Sequence, residues 1–127
     1  MTREEVDLFE KTQGQLQELY SEVSLLSKKS QNDPLNKFKL RWVNQILALA
    51  NNLIGDENKP FLDFSQFDEV DMPTNSDVGL ILSQYLSCLE RFRSENIYHE
   101  NMGRWYWLID NEKSYISTPS PDKLKKR

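Results

Sequence analysis

Near the N-terminus, apolar side chains recur in alternating steps of three and four. Phe9, Thr12, Leu16, Leu19, Val23 and Leu26 lie on this repeat, and Leu8, Tyr20 and Leu25 broaden it. Such steps return side chains to one side of an α-helix, whereas a half-buried strand alternates every second residue. The spacing therefore predicts one helix over 2–30. Thr2 and Glu5 have the spacing of a capping box at its start. A helix with one apolar stripe needs other elements to cover it.

Two further stripes supply them. Asp33 and Pro34 predict the start of a second helix, and Gly55 predicts its end. Leu35, Phe38, Trp42, Ile46, Leu49 and Leu53 make one apolar face, with Val43, Leu47, Ala50 and Ile54 beside it. What stays polar in its later half is Asn44, Gln45, Asn51 and Asn52, which carry no charge. A helix this apolar is expected to be the central one, with Leu49 in the middle of its stripe. A third helix is predicted from about Ser76 to Tyr98, capped by Thr74 or Ser76 with Asp77 close by. Val78, Ile81, Leu82, Tyr85, Leu89 and Phe92 form its stripe. Four glycines and five prolines leave little material for the many turns of an all-β domain.

Between the second and third helices, residues 56–75 predict a loop. Phe61, Leu62, Phe64 and Phe67 stand among its acids and are expected to pin it to the helices. After the third helix, Arg104 to Ile109 and Ser114 to Thr118 flank the turn-rich Asp110-Asn111-Glu112-Lys113. This reads as a short β-hairpin, with a fourth helix over 103–116 as the alternative. The expected fold is mainly α: an antiparallel bundle of three helices with an ordered aromatic loop and a C-terminal hairpin. Residues 1–118 are expected to form one helical domain and 119–127 a flexible basic tail.

Charge and motif arguments narrow the function. The net charge is -4. Segment 56–77 carries Asp56, Glu57, Asp63, Asp68, Glu69, Asp71 and Asp77 against Lys59 alone. An acidic body argues against nucleic-acid binding, although Lys28, Lys29, Lys37, Lys39, Arg41 and the basic tail could contact phosphate. The loop acids lack the Asp-x-Asx-x-Asx-Gly order of an EF-hand, so no metal is expected there. His99 and Cys88 are each single in the sequence. Cys88 lies along the third stripe and is expected to act as a small hydrophobe. The glycines at 14, 55, 79 and 103 cannot write a dinucleotide or phosphate loop. No catalytic residue and no cofactor are expected. The charged N-terminus and the short apolar runs predict a cytoplasmic protein without a membrane span.

The expected function is a non-enzymatic protein-interaction module. Trp105, Tyr106 and Trp107 are its candidate aromatic anchors, and Asp68, Glu69 and Asp71 its candidate acidic contacts for a basic protein partner. A small-molecule sensor or enzyme with an inter-helix pocket, lined by Tyr85, Trp42 or Trp105, is the alternative; nucleic-acid binding is the third. A two-fold homodimer is also expected. The predicted first helix outruns the second by roughly 9 Å at about 1.5 Å per residue. The amide face of the second helix looks free for a copy.

Overall fold

The computed structural model describes residues 1–100 and 103–122. Three helices are followed by three strands: α1 over Arg3–Ser30, α2 over Lys37–Ile54, α3 over Asn75–Ser94, β1 over Ile97–His99, β2 over Trp105–Ile109 and β3 over Glu112–Thr118.

The ends of α1 follow the sequence. Glu5 N–H donates to the Thr2 hydroxyl at 3.1 Å, and Thr2 N–H donates to the Glu5 carboxylate at 2.8 Å. That backbone hydrogen bond from Thr2 holds the Glu5 carboxyl below its ordinary range. At α2 the start differs: the cap is Asn36, whose side chain accepts from Lys39 N–H. Asp33 and Pro34 serve a different end. Leu35 N–H donates to Pro73 O, Asn75 N–H to Asp33 O and Ser76 N–H to Gln31 O. The two inter-helix connections are thus stitched together by main chain, a pairing that no local propensity announces. Gly55 ends α2 at φ 80, with its N–H donating to Asn51 O. At α3, Thr74 and Asp77 cap each other.

The first helix, not the second, is central. It packs against both α3 and α2, and these two touch each other far less. Lys39 reaches Glu22 on α1, Gln13 on α1 reaches Glu90, and Ser30 O accepts from Asn75. Both later helices therefore run antiparallel to α1 and parallel to each other. A parallel pair needs a connection that travels the length of the bundle. Segment 55–74 makes that journey between α2 and α3. Asn44 clamps it with two hydrogen bonds, Nδ2–H to Phe67 O and Oδ1 from Phe67 N–H, both 2.9 Å. Asn51 donates to Ser65 O and accepts from the Tyr85 hydroxyl. Phe64 packs edge-on against Phe67 and Tyr85. The uncharged amides of α2 thus hold this chain's own crossover.

Burial follows from the same geometry. Leu40, Val43, Ile46, Leu47, Ala50 and Ile54 are the buried side of α2. Leu49 is half-buried at its margin. Phe38 and Trp42, on the predicted apolar face, stay 62% and 46% exposed. Gly14, on the outside of α1, is exposed.

The third helix stops at Ser94, four residues before the predicted Tyr98, and the chain turns into β1. The C-terminal unit is therefore a three-stranded antiparallel sheet in the order β1-β2-β3, not a lone hairpin or a fourth helix. Ile97 pairs with Trp107, Tyr98 with Tyr106 and His99 with Trp105. Asp110 and Asn111, at φ 51 and 65, form the turn of the predicted hairpin. The sheet covers the N-terminal half of α1. Trp107 is 0% exposed and meets the Phe9 ring edge-on at 5.5 Å, while Phe9 stacks on Phe92 at 5.8 Å. Asp110 N–H donates to Met1 O. The part of α1 that outruns α2 is covered within one chain, so length mismatch gives no reason for a second copy.

Candidate binding surface on the C-terminal sheet

Alternation along β2 divides the Trp105-Tyr106-Trp107 run. Trp107 belongs to the core. Trp105 faces the same side but lies half-buried, stacked on His99 at 4.8 Å. Tyr106 faces away from the helices, and there it meets Tyr98 at 5.6 Å and Tyr115 at 5.4 Å. Tyr98 and Tyr115 close the triangle at 6.2 Å. The outer face of the sheet is thus a three-tyrosine platform. Sequence reasoning missed Tyr98, assigned to the end of a helix, and Tyr115, whose position depends on an irregularity.

That irregularity is a bulge. Tyr106 pairs with Ser117 and Leu108 with Lys113, so β3 has extra residues between them. The Ser114 hydroxyl donates to Trp107 O at 2.6 Å and accepts from Ile116 N–H at 3.1 Å. Tyr115 N–H donates to the Tyr98 hydroxyl at 3.2 Å. Tyr115 itself has φ 58 and is 64% exposed. A left-handed conformation costs a non-glycine residue about 1–2 kcal/mol. The bulge re-aims this ring onto the outer face, a recurrent use of bulges near functional surfaces. Lys113 places its ammonium 5.6 Å from the Tyr98 ring centre and pairs with Glu100 at 2.9 Å. Hydrogen bonding to Glu100 raises the Lys113 pKa above its ordinary value.

Behind the sheet lies a buried ion pair. Glu90 and Arg93 are 6% and 5% exposed. Arg93 Nε and Nη2 donate to the two Glu90 oxygens at 2.8 and 2.6 Å. Nη1 donates to the Thr118 hydroxyl and Pro119 O, and Nη2 also to Ser120 O. Glu90 further accepts from Gln13 and from Asp122 N–H. Burial pushes the Glu90 carboxyl upward, but the hydrogen bonds from Arg93, Asp122 and Gln13 together outweigh it and hold it below its ordinary range. Residues 119–122, counted with the basic tail in the sequence, are tied to the helices by this pair. Residues 123–127 lie outside the described residues.

The other candidates sit elsewhere. Glu69–Asp71 form a short 3-10 turn, and Asp68 caps it by accepting from Val70 N–H. This acidic turn precedes the stitched end of the bundle, while the tyrosines lie at the opposite end. The length of α1, roughly 40 Å at about 1.5 Å per residue, separates them. Tyr85 is buried and hydrogen-bonded to Asn51, Trp42 is exposed on α2 and Trp105 is on the sheet, so the three do not line one pocket. Lys28, Lys29, Lys37, Lys39 and Arg41 do gather near the end where α1 stops and α2 starts, but Lys39 is paired with Glu22 at 2.7 Å. Cys88 is half-buried on α3. Among the described residues, no three His, Cys, Asp or Glu side chains are grouped to hold a metal ion, and no helix is long and apolar enough to cross a membrane.

No family model matches the chain, and neither a curated protein nor a solved structure resembles it significantly.

Proposed function

We propose that the chain is a non-enzymatic protein-interaction module that binds through the outer face of its C-terminal sheet. The observation that carries this reading is Tyr115, held left-handed so that a third ring joins Tyr98 and Tyr106 at the surface. Backbone strain that persists at a solvent-facing side chain points to a use outside the fold. Tyrosine gives large contact area with few rotatable bonds, and an aromatic face attracts cations. The chain's own Lys113 already lies over Tyr98. Glu100 follows β1, Asp110 lies in the turn between β2 and β3, and Glu112 opens β3. A basic protein partner suits this surface. Asp68, Glu69 and Asp71 stand too far away to share one small contact with it. A cytoplasmic setting goes with this proposal, and the single Cys88 is compatible with reducing surroundings.

Tyr115→Gly separates fold from function. Glycine relieves the left-handed strain, so the melting temperature should hold or rise while the ring is lost. Partner capture from the source cell should then retain a basic protein with the native chain and lose it with Tyr115→Gly and Tyr106→Ser. Equal capture by all three chains would sink the proposal.

A second reading, a two-fold homodimer, rests on a different observation. Phe38 and Trp42 meet edge-on at 6.3 Å on an exposed stretch of α2. Exposed aromatic pairs are common contact points between subunits. Light scattering should give a dimer mass that falls to the monomer in Trp42→Ser; a monomer mass for the native chain across tens of micromolar rules the dimer out.

A further inference from the structure

Helix α2 carries two apolar stripes, and the fold uses one. Leu40, Val43, Leu47 and Ala50 are buried within the chain. The other stripe, Phe38, Trp42, Leu49 and Leu53, advances by four, seven and four residues. Such steps keep side chains on one line of a helix, here about 22 Å long at about 1.5 Å per residue. Phe38 and Trp42 are 62% and 46% exposed, and Leu49 and Leu53 are half-buried. Beside this line a groove of about 380 Å³ opens between α1 and α2. Leu19, Trp42 and Ile46 give it an apolar lining, and Gln15, Glu18 and Glu22 of α1 a polar one. Single exposed apolar side chains are ordinary, but a row of them at helix spacing is how one helix meets another.

The charges on the two flanks of the stripe identify its occupant. Lys39 is paired with Glu22, so its side of α2 faces α1. Arg41, two residues on, is turned by about 200° and stands on the opposite flank. Lys37 lies one turn before it. One flank of the face thus carries Glu18 and Glu22 of α1, and the other carries Lys37 and Arg41 of α2. Glu18 and Arg41 are exposed, and neither has an ion-pair partner among the described residues. The Lys39–Glu22 pair also sets their level. Because the helices are antiparallel, Glu18 and Arg41 lie on the same side of that pair and differ in height by about 3 Å. A face acidic on one flank and basic on the other matches itself after half a turn about the stripe. An acidic or a basic partner would match one flank and oppose the other. We propose that a second copy of the chain docks on this face, with the two-fold axis parallel to the helices. The α1 helix of each copy then lies against α2 of the other. Trp42 of each copy seats in the other's groove beside Leu19, and Arg41 of each meets Glu18 of the other. This inference rests on the homodimer reading above and adds its geometry.

Sedimentation velocity of the full chain in low salt, across a concentration series reaching tens of micromolar, tests the pairing. The native chain should sediment as a dimer. Glu18→Arg and Arg41→Glu each set like charges against each other at two symmetric contacts, so each should raise the dissociation constant at least about tenfold. Both substitutions in one chain exchange the two flanks and should restore the dimer. An equimolar mixture of the two single variants should also pair, because each copy supplies the charge that the other lacks. Glu95→Arg, the same change of charge at the end of α3, should leave the dimer as it is. The substituted positions are exposed, so all variants should melt like the native chain; should the double variant melt early, the mixture of single variants gives the same answer. A native chain that stays monomeric overturns the homodimer reading and this geometry together. A native dimer that the single variants leave unchanged, or that neither the double variant nor the mixture re-forms, overturns the geometry alone.

Discussion

The crossover 55–74 and the C-terminal segment 97–122 do the same job by opposite chemistry. Each is a largely non-helical cover laid along helices that cannot bury their own stripes. The crossover is fixed by the neutral amides of Asn44 and Asn51 and by Phe64 and Phe67. The C-terminal cover is fixed by one large ring, Trp107, and by a buried ion pair. Amide clamps bind no proton in the ordinary pH range, and removing one leaves a few unmet hydrogen bonds. An ion pair ties the cover to solution pH, and breaking it strands a charge. The two covers should therefore fail under different conditions.

Trp107→Ala should bring the largest loss, about 3–5 kcal/mol in denaturant unfolding, because a whole indole leaves the contact with Phe9. The cover and the N-terminal half of α1 should loosen together, seen as faster amide exchange at Val6 and Phe9. A loss below about 1 kcal/mol would mean that the sheet is an appendage and the comparison fails.

Glu90→Gln should cost about 3 kcal/mol, since Arg93 keeps its charge in a buried place without a counterion. The pH dependence follows from the lowered pKa of Glu90. Its contribution is complete above the unfolded carboxyl value and is lost as pH falls through the lower folded value. Acid should release the C-terminal cover before the crossover. The Asp122 amide, bonded to Glu90, should lose exchange protection as pH falls while the Phe67 amide, bonded to Asn44, keeps it. Simultaneous loss at both would show that the covers are not independent. In Glu90→Gln the difference should vanish.

Asn44→Ala should cost less, about 1–2 kcal/mol, because two hydrogen bonds to Phe67 disappear but no charge is stranded. Its effect on the melting temperature should be flat with pH in the acid range. A cost that grew on acidification would mean that an acid of the crossover, and not the amide, holds it.

What was legible in the sequence follows the range of the forces involved. Helix ends at Thr2, Gly55 and Thr74 depend on residues a few positions apart, and they could be read. The start of α2 could not, because Asp33 and Leu35, on either side of Pro34, are bonded through main chain to Asn75 and Pro73. The apolar excess of α2 is visible in the sequence, but it does not make α2 central: the central helix is α1. Centrality depends on parallel running of α2 and α3, which periodicity does not encode. The amides at 44 and 51 form an uncharged face in the sequence, yet their target lies in a loop without a repeating pattern. At the candidate surface, strand alternation alone sets Tyr106 opposite its tryptophan neighbours. Tyr115 required a bulge, and no spacing rule announces one. The Glu90–Arg93 pair did have a signal, opposite charges three apart on a mostly apolar helix. Such pairs are usually solvated, so the spacing alone could not mark it as buried.

The smallest expected effect concerns Gly14, and it is stabilising. It sits on α1 beside a cavity that the C-terminal cover helps to enclose. Alanine should raise stability by up to about 1 kcal/mol, because helix propensity improves and a Cβ meets nothing within 4 Å. This gain belongs to α1 alone, so it should be the same at neutral and acid pH and should persist in Glu90→Gln. Independent sites add, whereas sites sharing a packed element do not. Additivity of the two substitutions would place Gly14 outside the ion-pair clamp, leaving the cavity wall as the feature that involves both helix and cover. A gain that disappears once the clamp is broken would instead mean that the cover presses on α1 at this glycine, and the separation between helix and cover would have to be redrawn.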